Sequence, residues 1–234
     1  MAKIIRKHWS IFAKIFFLLF FFVALIFGAD IFNFKAQPAK GSWLATTTWV
    51  GTTAAGNWQN AANWSNGIPT STMLAVIASS SAITITATGT IDFDTLQLGG
   101  GGGTVSSTLV LVGNIGAGVD IDIKENGKLT QSSTVQQTIS GTLLIEAGGR
   151  LTHSANTTTQ SRIINFNANT ITVNSGGFVF ADSLGYSGGL TASANGSGPG
   201  AGIGGTSPGA GAGHGGTGGS EGTNAPGQGY CDVT

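Results

Sequence analysis

Four stretches of this chain repeat one spacing of apolar residues and glycine, and that repeat restricts the fold more than any other feature. They read Ile83-Thr-Ile85-Thr-Ala-Thr-Gly89-Thr-Ile91, Ile121-Asp-Ile123-Lys-Glu-Asn-Gly127-Lys-Leu129, Leu143-Leu-Ile145-Glu-Ala-Gly-Gly149-Arg-Leu151 and Ile171-Thr-Val173-Asn-Ser-Gly-Gly177-Phe-Val179. Two apolar residues at period two share one face of a strand. Gly89, Gly127, Gly149 and Gly177 tolerate φ > 0, so each predicts a bend before the next short strand. In a hairpin meander, Asn126-Gly127 would be a type I′ turn. In a parallel β-helix the same bend is a corner, and successive strands stack. The offsets of 22 residues from Ile121 to Leu143 and 28 from Leu143 to Ile171 are near the length of a solenoid coil. Leu96-Gln-Leu98 and Leu109-Val-Leu-Val112 offer further strands. The spacing therefore favours an all-β parallel β-helix, with a meander or sandwich as the alternative.

The flanks of the repeats differ in composition. Residues 48–77 hold Trp49, Trp58 and Trp64, three of the chain's five tryptophans. Such indoles can cover the open end of a stack of coils, which must be capped to stay soluble. They can also form a platform for a sugar ring. Residues 183–234 are rich in glycine and serine. They read either as a flexible linker or as tight turns that let backbones approach closely.

At the other end, Lys3, Arg6, Lys7 and Lys14 flank an apolar run from Ile15 to Phe27. A basic region and an apolar run of about 13 residues fit a secretory signal peptide and fall short of a bilayer span. Uncut, the segment would be an anchor with its basic end in the cytoplasm. Residues 1–29 are accordingly expected to be a signal peptide or retained anchor, 30–47 a spacer, 48–77 a Trp-rich cap, 78–182 the coils and 183–234 a Gly-rich segment.

After residue 40 only four basic side chains remain against nine acidic ones, which makes the chain a poor nucleic-acid binder. A single cysteine, Cys231, excludes an intrachain disulfide framework.

The pattern Trp49-x-Gly51, Asn57-Trp58 and Asn63-Trp64-Ser65-x-Gly67-x-Pro69-Thr70 resembles the opening of bacterial autotransporter-like and adhesin-like surface proteins. These are built on a right-handed, pectin-lyase-like parallel β-helix. Units such as Leu143 to Leu151 look like their coils, and the Gly-rich stretch is similar to segments that follow or interrupt those coils. The resemblance covers residues 48 to about 182. It implies a signal or hydrophobic helix, then a right-handed β-helix, then a Gly-rich segment, in a secreted or cell-surface adhesin, surface-layer component or carbohydrate-contacting stalk. Such proteins are often longer, and Tyr230 to Thr234 form no cap, sorting signal or translocator, so a truncated chain or fragment is expected.

Chemistry is sparse. Asp92 and Asp94 alternate with Ile91 and Phe93, and Asp120 and Asp122 with Ile121 and Ile123, which places both pairs on an outward strand face. Stacked, the four carboxylates could hold calcium; the plainer reading is a solvated strand face. A polysaccharide lyase on this scaffold would need such acids for calcium and a basic residue to take a proton. Lys124, Lys128, Arg150 and Arg162 lie in no such motif. Glycoside hydrolysis needs two carboxylates converging on one cleft, and His153, His214 and Cys231 make no metal-ligand spacing. The expectation is a structural, exported protein that contacts carbohydrate or protein, touches membrane only through its N-terminal segment, and has no catalytic residue and no cofactor beyond calcium. The alternatives are a polysaccharide lyase or glycoside hydrolase on the same scaffold and a truncated fragment without independent function.

Overall fold

Alternating apolar residues separated by glycine-bearing turns fold here into two parallel sheets that the chain visits in turn. The computed structural model describes residues 44–102, 106–189, 194–205, 210, 218–220 and 224–228. One six-stranded sheet runs in the order β1 (Ala45–Thr48), β3 (Met73–Ile77), β5 (Ile91–Leu98), β7 (Ile115–Ile123), β10 (Thr142–Ile145) and β13 (Thr170–Val173). The other comprises β2 (Ala55–Asn57), β4 (Ile83–Ala87), β6 (Ser107–Leu111), β8 (Gly127–Gln131), β11 (Arg150–His153) and β14 (Phe178–Val179), in that spatial order. A short third pair joins β9 (Gln137–Thr138) to β12 (Phe166–Asn167). Every pairing between these strands is parallel. The result is a parallel β-solenoid of about six turns, which matches the expected β-helix and displaces the hairpin meander.

Register turns the alternation into inner ladders. Ala75, Leu96, Ile121, Leu143 and Ile171 stand opposite one another in the first sheet. In the second sheet the ladder is Ile85, Leu109, Leu129, Leu151 and Val179. Ile85, Leu109 and Leu143 are wholly buried, and each such side chain stabilises the fold by about 1.5–3 kcal/mol. The sequence offsets from Ile121 to Leu143 and from Leu143 to Ile171 are thus true coil lengths. Ile83–Ile91 is out of phase with the other three units. It runs from β4 in the second sheet to β5 in the first, so the same local pattern serves a different corner.

The glycines act differently from the expectation. Between β7 and β8, Gly127 N donates to Lys124 O; the equivalent bonds run from Gly149 to Glu146 and from Gly177 to Asn174, each at 2.9 Å. Positive φ falls one residue earlier, at Asn126 (62°), Gly148 (77°) and Gly176 (83°), the third turn position where type II geometry requires it. Gly127, Gly149 and Gly177 serve close approach instead. A Cβ on them would collide with the carbonyls of Leu98, Ile123 and Ile145 in the preceding coil. Those same carbonyls accept from Lys124, Glu146 and Asn174 N at 2.8–2.9 Å. Gly89 also lacks positive φ, and its carbonyl occupies the space a Cβ on Gly113 would need.

Among the described residues the first coil begins at Ala45, inside the expected spacer, and the Trp-rich region is itself a coil, with β3 already in the first sheet. The expected export segment and most of the spacer lie outside the described residues. Beyond β14, Asn156 N donates to Leu184 O and Ser187 N to Thr157 O. In the Gly-rich stretch, Ser197 N donates to Ser187 O, and Gly198 (φ 89°) lies against the Tyr186 ring. Among these described pieces, Ala201 N donates to Gly198 O at 3.2 Å in one turn, and a Cβ on Gly189 would collide with the Ala194 carbonyl.

A Gly149→Ala substitution should lower stability by about 1–3 kcal/mol through overpacking against the Ile123 carbonyl. Gly188→Ala, where nothing lies within 4 Å of the added carbon, should stay within about 0.5 kcal/mol. Urea melts of the two variants check the contrast.

Candidate functional site

Three places carry the chemistry singled out in the sequence or assembled by the fold: the tryptophan block, the outward acidic residues and a cleft at the distal end. In the first, Trp49 follows β1, Trp58 follows β2 and Trp64 follows a 3-10 turn, Ala61–Asn63, whose start is capped by the Asn60 side chain. The rings meet edge to face, with Trp64 centred 5.3 Å from Trp49 and 4.8 Å from Trp58. Trp64 Nε1 donates to Trp58 O at 2.9 Å. Gly51 and Gly56 leave space that the Trp49 indole fills, which explains the Trp-x-Gly spacing. Trp49, Trp58 and Trp64 are 8%, 0% and 4% exposed. Their faces are covered by one another and by the core, so the sugar-platform expectation finds no free ring face here.

The segment after the turn doubles back along β1. Val50 N donates to Asn63 O at 2.8 Å and Ser65 N to Thr48 O at 2.9 Å. Ser65 Oγ accepts from Thr48 N, Asn66 Nδ2 donates to Thr46 O, and Thr47 Oγ1 donates to Gly67 O. Thr46 O, Thr48 N and Thr48 O on this edge are therefore occupied by the protein's own chain, which blunts it as a template for pairing with another molecule.

β5 and β7 are neighbours, yet their register sets the acidic pairs out of step. Asp92 stands opposite Ala117, Asp120 opposite Thr95 and Asp122 opposite Gln97. Among the described residues no three His, Cys, Asp or Glu side chains come together in a metal-binding group. Asp92 Oδ1 accepts from Ala117 N at 2.7 Å and Asp120 Oδ1 from Thr142 N at 2.8 Å. Gly116 and Gly141 precede those donors, and a Cβ at either would meet the carboxylate oxygen. These aspartates tie one coil to the next. Asp94 accepts from Thr95 Oγ1 at 3.0 Å.

Asp122 faces a cation. Lys124 Nζ lies 2.8 Å from Asp122 Oδ2 and 3.1 Å from Glu146 Oε1, while Asp122 Oδ1 is buried without a hydrogen-bond partner. Burial pushes the Asp122 carboxyl above its usual range, against the opposing pull of Lys124. The hydrogen bond from Lys124 to Asp122 raises the lysine despite its own desolvation.

The third place was not legible in the sequence. At the distal end of the second sheet, Arg150, Phe178, Phe180 and Asp182 line an open cleft of about 230 Å³. The Arg150 guanidinium carbon stands 6.0 Å from the Phe178 ring centre. Lys128 is Arg150's opposite residue on β8, and Phe178 its opposite residue on β14. The period-two pattern separates these residues from Leu129, Leu151 and Val179, but only the stacking register brings them together.

Trp64→Ala should cost about 3–5 kcal/mol, read as a lowered thermal midpoint. For Asp122, the raised folded pKa means that ionisation weakens the fold at neutral pH, and that this penalty is relieved as the pH falls toward the unfolded value of 3.8. Asp122→Asn should therefore be at least as stable as wild type at pH 7, by under about 1 kcal/mol at this partly exposed site. Thermal melts should show that advantage shrinking toward pH 4. The contribution of Lys124 is fully present below its unfolded value of 10.5 and is lost as the pH rises through its raised folded pKa.

No family model, curated protein or solved structure matches this chain, so its assignment rests on the solenoid and the residues it stacks.

Proposed function

We propose that this chain is an exported, non-enzymatic β-solenoid that acts as a structural scaffold at the cell surface or outside the cell and presents its outer face to carbohydrate or protein. The observation that carries the reading is the use made of the outward polar side chains. Asp92 and Asp120 are committed to backbone N–H groups of the next coil, and Lys124 ties two coils through Asp122 and Glu146. Polar chemistry spent on coil-to-coil bonds makes a stiff support. The basic and apolar N-terminal run supports export, and the likeness to adhesin-like β-helices supports a contact role.

Expression of a C-terminally tagged chain, followed by fractionation and protease treatment of intact cells, should place it outside the cytoplasm. Retention in the cytoplasm would overturn the export reading. The purified chain incubated with acidic and neutral polysaccharides should release no unsaturated or reducing ends. Sustained turnover would instead establish a polysaccharide lyase or glycoside hydrolase on this scaffold.

A further inference from the structure

The fold treats its cations unequally. Lys124 lies between two carboxylates, and Arg162 Nη1 donates to Ala155 O at 2.8 Å. Lys128 and Arg150 stand directly opposite one another on β8 and β11, and among the described residues neither makes an ion pair. Neighbouring strands are about 4.8 Å apart, and like charges set opposite each other across that gap weaken a sheet. The next rung outward is Phe178, an exposed ring over which the Arg150 guanidinium sits. Phe180 and Asp182 complete the cleft.

We propose that this end of the second sheet binds an anionic sugar unit, a pyranose carrying a carboxylate or a sulfate, as part of a polysaccharide. The anion lies between Lys128 and Arg150, where the planar guanidinium can donate two parallel hydrogen bonds to it. It relieves the repulsion between two cations that make no ion pair among the described residues. The phenyl rings offer an apolar surface to the C–H face of the sugar, and the Asp182 carboxylate accepts hydrogen bonds from ring hydroxyls. The cleft is smaller than the roughly 300–1,000 Å³ of enclosing ligand pockets, so it takes one ring of a longer chain. The proposal deepens, and rests on, the reading of the outer face as a contact surface.

The test uses the purified full chain in affinity electrophoresis through gels containing polygalacturonate, a sulfated galactan or neutral dextran. Retardation is expected in both anionic gels and not in dextran, and should fade as salt rises from about 50 to 500 mM. Arg150→Ser and Phe178→Ala should each weaken binding by at least about tenfold. Arg162→Ser, which removes the same charge elsewhere, should bind as wild type, with thermal melts checking that each variant is folded. A preference for one anionic gel identifies whether the carboxylate or the sulfate is the recognised group. Equal loss in Arg150→Ser and Arg162→Ser would reduce the effect to net charge and overturn the site, as would equal retardation in dextran. Absence of binding in every gel overturns the site as well, while the scaffold reading is decided separately by the export and turnover measurements.

Discussion

Backbone pairing between coils is the constraint on which the rest of this molecule depends. In a parallel solenoid each strand gives its N–H and C=O groups to the coils on either side, and an unpaired group in the interior is costly. Pairing holds only if each coil returns in register, so Leu143 must stand on Ile121 and Ile171 on Leu143. The glycines follow from this. Where the chain turns between the sheets, the carbonyls of Leu98, Ile123 and Ile145 come so near the next coil that no Cβ fits there, and Gly127, Gly149 and Gly177 answer a steric demand of stacking. The sharp reversal falls to the preceding residue, which explains why a non-glycine, Asn126, can take positive φ.

Stacking also creates ends, and the described coils treat them differently. At the first strand the chain pairs with itself: Asn63 to Gly67 take up the edge of β1, and three buried indoles fill the space beneath. At the last described coil, Ile171, Val173 and Val179 continue the inner ladders yet are about half exposed, whereas Leu143, Ile145 and Leu151 one coil earlier are buried. The contrast is one of coverage, since each interior rung is enclosed by a coil on both sides.

The outer face is where function can differ from architecture. The carboxylates of Asp92 and Asp120 bond to the N–H groups of the next coil, helped by glycines at 116 and 141 that clear their path. Among the described residues Lys128 and Arg150 make no ion pair, and the ring of Phe178 lies beside Arg150.

The sequence by itself determined the strands, their inward faces and the length of the later coils, because period-two alternation and the 22- and 28-residue offsets are local properties of the chain. It also set the tryptophan block apart from the repeats. Only the tertiary structure decided how the pieces meet. The first repeat unit turned a different corner from the other three, the glycine position proved to be one of contact and not of left-handed backbone, and the indoles turned inward. Asp92 and Asp120 were separated by register, while Arg150 and Phe178, 28 residues apart in the chain, became neighbours. Such juxtapositions depend on which residue stacks on which across coils of unequal length, and a one-residue change of register would move each side chain to the opposite face.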